Sequence, residues 1–421
     1  MRLLPALLAA AALASFSPPA LAAPPQERTV VVLLFDGVAP SLLQLAPVPA
    51  FERMRAQGSF SHGFEPPFPT ISLISGFTIS TGCWPEHHGI VTNKFLGEDG
   101  VVYDHSRDAD WMTGCENLHQ AAERQGVRTA ALDWYGARSG SRGPLASIVD
   151  GTSGHDSFPD DDTRAEEVAA LLALPPEQRP RLILAYFRGP DGAAHFEGMR
   201  SKAARAAVVR MDRAVARVMK AMEAGPGRDA ATLVVTTDHG MAPVTEIVNI
   251  QRILRVNEIP ARPLSTGTTS FLYFDDPAAV ERAARKLAAY PQLEVLRREA
   301  LPEYARLGQG PRVPPLIVSA KPPYFIEDAS SWPVTLRWLG LWGQQFPSAR
   351  FFVKATHGYP PATPGMAGVL YLWGDGVAAG IYKSHVRAVD LHPTVTALLG
   401  IEPGVPVDGE LVRPFLVPEG F

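Results

Sequence analysis

Three unbroken apolar runs punctuate the chain: residues 29–35 (TVVVLLF), 182–187 (LILAYF) and 232–237 (TLVVTT). Continuous rather than alternating apolar residues are what a strand buried on both faces requires, so each run predicts an interior strand of a parallel sheet. Each run leads into an acid: Asp36-Gly37, Gly189-Pro190-Asp191 and Asp238-His239-Gly240. Between the runs the period changes. Residues 202–224 carry apolar positions three and four apart with Arg and Lys between them, as an amphipathic helix does. Residues 165–174 repeat that pattern over a shorter length before Pro175-Pro176. Strands alternating with helices predict an α/β fold with a mostly parallel central sheet flanked by helices. Ligands of such sheets bind beyond the carboxyl ends of the strands, where Asp36, Asp191 and Asp238 are expected to meet.

From residue 244 to 350 the texture differs. Pro-rich pieces, a helical pattern over 278–289 and strand-like runs at 270–274 and 316–319 predict a smaller α+β cap insertion. It interrupts a catalytic domain expected at 28–243 and 351–421, which closes with a helix over 389–400 (VDLHPTVTALLG) and its glycine stop. Residues 1–23 have the layout of a cleaved signal peptide: Arg2, a Leu/Ala run, then Ala20-Leu21-Ala22. That layout, with an Ala- and Arg-rich composition and no lipobox cysteine, predicts a bacterial periplasmic or secreted protein. No later segment is long and apolar enough to span a membrane, so no stable span is expected after cleavage. Cys83 and Cys115 are the two cysteines. In an oxidising compartment they can pair, and the sequence leaves that open.

Composition narrows the partners. A chain of 421 residues, 46% of them hydrophobic, can bury a large core, while a net charge of −4 offers no basic surplus for a long nucleic-acid footprint. Small phosphate-bearing substrates remain in scope.

The chemistry sits at the strand ends. Asp191 and His195 are four apart, which puts both on one face of a helical turn, and His357 in an HGY triplet is a plausible third ligand. Asp238 and His239 are adjacent; at a sharp strand end they can approach a second ion from two sides, with Asp36 completing that site. Carboxylate oxygen with imidazole nitrogen favours zinc, and two such ions can clamp an in-line displacement at phosphorus. For a nucleophile, residues 68–93 offer Thr70, Ser72, Ser75, Thr78, Ser80 and Thr81. Ser and Thr also favour helix N-termini, so most are expected to cap a helix, and the residues alone leave the choice open. Asn93 follows as an amide for a phosphate oxygen.

These motifs together resemble the nucleotide pyrophosphatase/phosphodiesterase (type I phosphodiesterase) family of the alkaline phosphatase superfamily. The family run YPTKTFPNxYTLxTGLYPExHGIxxN lies without a gap on FPTISLISGFTISTGCWPEHHGIVTN, from Phe68 to Asn93. In that register the family's nucleophilic Thr falls on Ser72, its phosphate-contacting Asn on Asn93, and an earlier non-catalytic Thr on Thr70. The family's DG, PDxxGH, DHGM and HGY motifs match Asp36-Gly37, Pro190 to His195, Asp238 to Met241 and His357 to Tyr359. The resemblance implies an alkaline-phosphatase-like core with two zinc ions. Asp191, His195 and His357 would hold one; Asp36, Ser72, Asp238 and His239 would hold the other. It also implies a small phosphodiester or pyrophosphate substrate, attacked by Ser72 to give a phosphoseryl intermediate. Two departures stand out. Leu73-Ile74-Ser75 replaces FPN, removing an aromatic ring that nucleotide-cleaving members stack on a base, and Arg188 replaces an acid. A phosphomonoesterase, which Arg188 would favour, is the nearest alternative. A sulfatase lacks its formylglycine-type motif here, and a non-catalytic metal-binding protein would be expected to have lost a ligand or the hydroxyl.

Overall fold

Strand β1 (Thr29–Phe35) is buried along its whole length, as its uninterrupted apolar sequence requires. It lies between two parallel neighbours, β5 (Leu182–Phe187) and β6 (Ala231–Thr237), in a computed structural model that describes residues 28–104, 111–138, 143–150, 159–327 and 353–417. The expected signal peptide at 1–23 and residues 328–350 of the expected cap lie outside the described residues. On the β5 side the sheet continues in parallel through β3 (Thr129–Leu132) to β4 (Ile148–Asp150). On the β6 side it continues through β11 (Gly368–Gly374), antiparallel to both its neighbours, to β2 (Ser59–Glu65). Two short strands, Ile381–Tyr382 and Val386–Arg387, pair with β2 and bring the sheet to nine strands.

Alternate residues of β1, β5 and β6 feed two cores. Val31, Leu33 and Phe35 pack with α4 (Lys202–Ala224) and α2 (Asp161–Leu172) on one face. Val30, Val32 and Leu34 pack with α1 (Ser72–Thr81) and α6 (Leu391–Leu399) on the other. Helices on both faces of a mostly parallel sheet give the expected α/β class. Helix α4 has the bounds its periodicity predicts. Helix α2 begins earlier than the expected residue 165, because the Asp160 carboxylate accepts the Thr163 N–H and caps a polar first turn. At the C-terminal end, 388–390 form a single 3-10 turn before α6, and Gly400 stops the helix with φ +68°.

Between β6 and β11 the chain builds a second, antiparallel sheet in the order β7 (Ala261–Thr266), β8 (Thr269–Phe274), β10 (Leu316–Ala320) and β9 (Leu293–Arg297). Helix α5 (Ala278–Ala288) covers it, packing Ala283, Ala284 and Leu287 against Leu272, Leu293, Leu316 and Val318. The tight turn at Gly267-Thr268 points this sheet back at the central one. Thr268 Oγ1 donates to the His357 carbonyl at 3.1 Å, and Thr269 Oγ1 donates to that of Gly358 at 3.3 Å.

Candidate active site

The carboxyl ends of β1 and β5 approach each other closely because Gly37 follows Asp36 and Gly189 stands two residues before Asp191. Gly37 has φ +73°, and a Cβ there would lie 2.8 Å from the Asp191 Cβ; one on Gly189, φ +56°, would lie 2.4 Å from the Asp36 carbonyl oxygen. Asp36 and Asp191 are thereby brought side by side. Asp191 opens helix α3 (Asp191–Glu197), and His195 follows one turn later with its Nε2 3.3 Å from Asp191 Oδ1. His357 Nε2 reaches the same oxygen at 3.8 Å. In the second group, His239 Nε2 lies 3.5 Å from Asp36 Oδ1 and 3.6 Å from Asp238 Oδ2. The two groups adjoin, since the His239 and His357 rings stack with centroids 3.6 Å apart. In each triplet the donor atoms all fall within 4.8 Å of one another.

Hydrogen bonds hold the outward-facing atoms and turn the others toward the centre. Nδ1 of His195, His239 and His357 meets the backbone carbonyl of Ala355, Gly240 and Thr70 at 2.7, 2.9 and 2.9 Å. A carbonyl can only accept, so each Nδ1 carries a proton and each ring turns its Nε2 toward the centre. Asp238 Oδ1 accepts the N–H groups of Gly37 and His239 at 3.0 and 2.8 Å, whereas its buried Oδ2 has no partner. Asp36 Oδ2 is taken by the Tyr186 hydroxyl, leaving Oδ1 inward. Asp191 Oδ1 is also buried without a hydrogen bond.

The charges agree with this geometry. Burial, then the neighbouring Asp238 and Asp191, push the Asp36 carboxyl well above the ordinary range. Burial acts on Asp191 in the same direction, but the imidazoles of His195, His357 and His239 outweigh it and hold that carboxyl down. Burial and the stacked His239 drive the His357 imidazole well below its usual value. Crowded carboxylates, imidazoles that turn Nε2 inward and orphaned buried oxygens are a donor set that divalent cations satisfy. The residues fit a two-ion centre.

Of the six hydroxyls between residues 70 and 81, Ser72 differs from the rest. Thr70, Ser75, Thr78, Ser80 and Thr81 are fully buried, and Ser72 is partly open. Thr70 is bonded to the HGY turn, Thr78 to His88, Ser80 to Trp134 and Thr81 to Phe77. Ser72 Oγ instead lies 3.1 Å from His239 Nε2 and 3.4 Å from Asp36 Oδ1. It is the first residue of α1, whose extended N-cap, Ile71, offers no side-chain bond to the open N–H groups. An anion is favoured at that end of the helix.

Other candidates fall outside this cluster. Asn93 is half-buried with its Oδ1 unpartnered, and no side-chain hydrogen bond joins it to the six Asp and His residues. Arg188 is exposed, and its charge helps the Thr163 N–H hold the Asp160 carboxyl down. Tyr186 was not foreseen: in LILAYF a tyrosine reads as core, and the one cue was its hydroxyl five residues before Asp191. Its neighbour Tyr135, in edge-on ring contact, fills a space that exists because residue 76 is glycine; a Cβ there would sit 2.0 Å from the ring.

The sequence model of the type I phosphodiesterase / nucleotide pyrophosphatase family matches residues 30–360. The chain belongs to this family. Family membership makes it a hydrolase of the phosphodiesterase/nucleotide pyrophosphatase type. Among its relatives, murine ectonucleotide pyrophosphatase/phosphodiesterase family member 7 is 24% identical over 401 residues, 92% of this chain and 87% of that one. The murine bis(5'-adenosyl)-triphosphatase is 23% identical over 385 residues, 89% and 78% of the two chains. The solved structure of murine ectonucleotide pyrophosphatase/phosphodiesterase 5 superposes with a TM-score of 0.80 at 20% identity, covering 93% of this chain and all of that one. The fold of this phosphodiesterase is therefore the alkaline-phosphatase-like one that its motifs imply.

Proposed function

We propose that this phosphodiesterase cleaves a phosphodiester or pyrophosphate bond with Ser72 as nucleophile, using one zinc ion held by Asp191, His195 and His357 and a second held by Asp36, Asp238, His239 and Ser72. The observation that carries this reading is Ser72 Oγ within 3.1 and 3.4 Å of two members of the second triplet while every other hydroxyl of its segment is buried. Bound there, the ions would lower the pKa of the serine hydroxyl and neutralise charge on the phosphoryl oxygens. Ser72, at the start of α1, attacks phosphorus in line; the Oγ–P bond forms as the leaving oxygen departs, giving a phosphoseryl intermediate that water then cleaves. Asn93 donates to a nonbridging oxygen. A neutral amide suits the single charge of a diester, and the cation that would have favoured a dianionic monoester, Arg188, is exposed beside Asp160.

The substrate is a small molecule, and nucleotides fit the family. Leu73, next to the nucleophile, is 7% exposed and packs into the core, so it gives a base no aromatic platform. Residues 244–350 act as a cap in this reading, and the protein is secreted or periplasmic after loss of residues 1–23. Two observations support that location. A Cys83–Cys115 disulfide is formed, and among the described residues no helix is long and apolar enough to cross a membrane. Hydrolysis of bis(p-nitrophenyl) phosphate beside p-nitrophenyl phosphate by the zinc-loaded protein tests the proposal. Faster diester turnover, abolished by chelator and restored by zinc, is expected; faster monoester turnover would reassign it as a phosphatase.

A further inference from the structure

Thr70 is completely buried two residues before the nucleophile, and its hydroxyl and its carbonyl both bond one turn of the chain nearly three hundred residues later. Its hydroxyl accepts the Gly358 N–H at 2.8 Å and donates to the Tyr359 carbonyl at 3.0 Å, with the Met366 sulfur 3.1 Å away. Its own carbonyl accepts the Nδ1 proton of His357 at 2.9 Å. The turn has no slack on its other side: Gly358 has φ +99°, and a Cβ there would meet Thr268 Oγ1 at 2.3 Å. His357 is thus held from the second sheet by Thr268 and from the nucleophile's own segment by Thr70.

We infer that Thr70 is a positioning residue that ties the Ser72 segment to the ion held by Asp191, His195 and His357, so that the nucleophile and the opposite ion are placed as one unit. The hydroxyl does this, not the methyl. Without it the Gly358 N–H and Tyr359 carbonyl lose their shared partner, the turn that carries His357 is tied to Thr70 only through the Nδ1 bond to its backbone carbonyl, and the affinity of that ion falls by about 10- to 100-fold, as for other groups that orient a metal ligand. The inference rests on the two-ion reading above.

Two variants separate shape from hydrogen bonding. Thr70→Val keeps the branched shape and removes the hydroxyl; Thr70→Ser keeps the hydroxyl and removes the methyl. Zinc per chain is counted after dialysis against a chelator poised so that the wild type just retains two ions, and kcat and KM are measured on bis(p-nitrophenyl) phosphate. Thr70→Val is expected to keep about one ion and to lose kcat with KM little changed, with part of the loss recovered in excess zinc. Thr70→Ser is expected to keep two ions and most of kcat. Two ions and wild-type kcat in Thr70→Val, or equal losses in both variants, would overturn the inference. If Thr70→Val does not fold, Thr70→Ala, which also removes the hydroxyl, is read in the same way. A wild-type protein holding fewer than two ions would overturn the two-ion reading itself, and this inference with it.

Discussion

His119 lies buried in the helix Leu118–Arg124, and neither of its ring nitrogens has a partner. Burial pushes its imidazole from the usual 6.5 down to about 4, although Glu123 and Glu116 pull the other way. Between those values the unfolded chain binds a proton that the folded chain refuses. Stability therefore falls as pH drops through that window and is unaffected above it. His119→Leu should remove this dependence, so that its stability gain in urea unfolding is about 2 kcal/mol larger at pH 5 than at pH 7.5. An equal gain at both values would refute the assignment. Such a residue is illegible in sequence, because a histidine among LHQAAER looks like part of a solvated helix face. The clustered acids were legible for the opposite reason. Asp36, Asp191 and Asp238 each interrupt an apolar run at the point where a parallel sheet opens its crevice. Ser72 could not be picked from six hydroxyls by residue type; burial separates it, and burial is a tertiary property. Thr70 is invisible for the same reason, since its partners lie at residues 357–359.

At the scale of elements, the long periodic segments carried their own definition. The apolar positions of α4 recur for six turns, which fixes its bounds, whereas α2 is short, and its first turn, Asp161 to Arg164, has no apolar residue to announce it. The antiparallel strand β11 was not foreseen either, because direction within a sheet follows from the path of the connection and not from the composition of the strand. Helix α1 shows how an element is tuned to its site. Glycine inside a helix ordinarily costs about 1 kcal/mol relative to alanine, but at residue 76 an added methyl would collide with the Tyr135 ring. Gly76→Ala is therefore expected to destabilise by about 1–3 kcal/mol rather than stabilise, measured by urea unfolding. A gain in stability would mean that the ring moves aside freely.

Across the whole molecule, the centre is assembled from segments far apart in sequence: the ends of β1, β5 and β6, the start of α1, and the turn at His357 that returns after the second sheet. Little local structure holds these together, so long-range ties carry weight. The Cys83–Cys115 disulfide closes a loop across a separation of 32 residues that includes Asn93. The sequence left this pair open because pairing depends on how the chain returns. Replacing both cysteines by alanine should cost about 3–4 kcal/mol in urea unfolding; a loss below about 1 kcal/mol would show that the loop is held without the bridge. The fold class, the family and the meeting of these Asp and His residues in two triplets were readable before the fold was known, because each rests on local runs and motifs.

Ser72 is the proposed nucleophile of the two-ion centre. Its most direct test is kcat/KM for bis(p-nitrophenyl) phosphate in a Ser72→Ala variant shown to be folded and to retain zinc. A fall of about 10³-fold or more is predicted, since the remaining groups can bind and polarise the ester but have no oxygen placed to attack it. Turnover within about tenfold of the wild type would contradict the account and move the attacking group elsewhere.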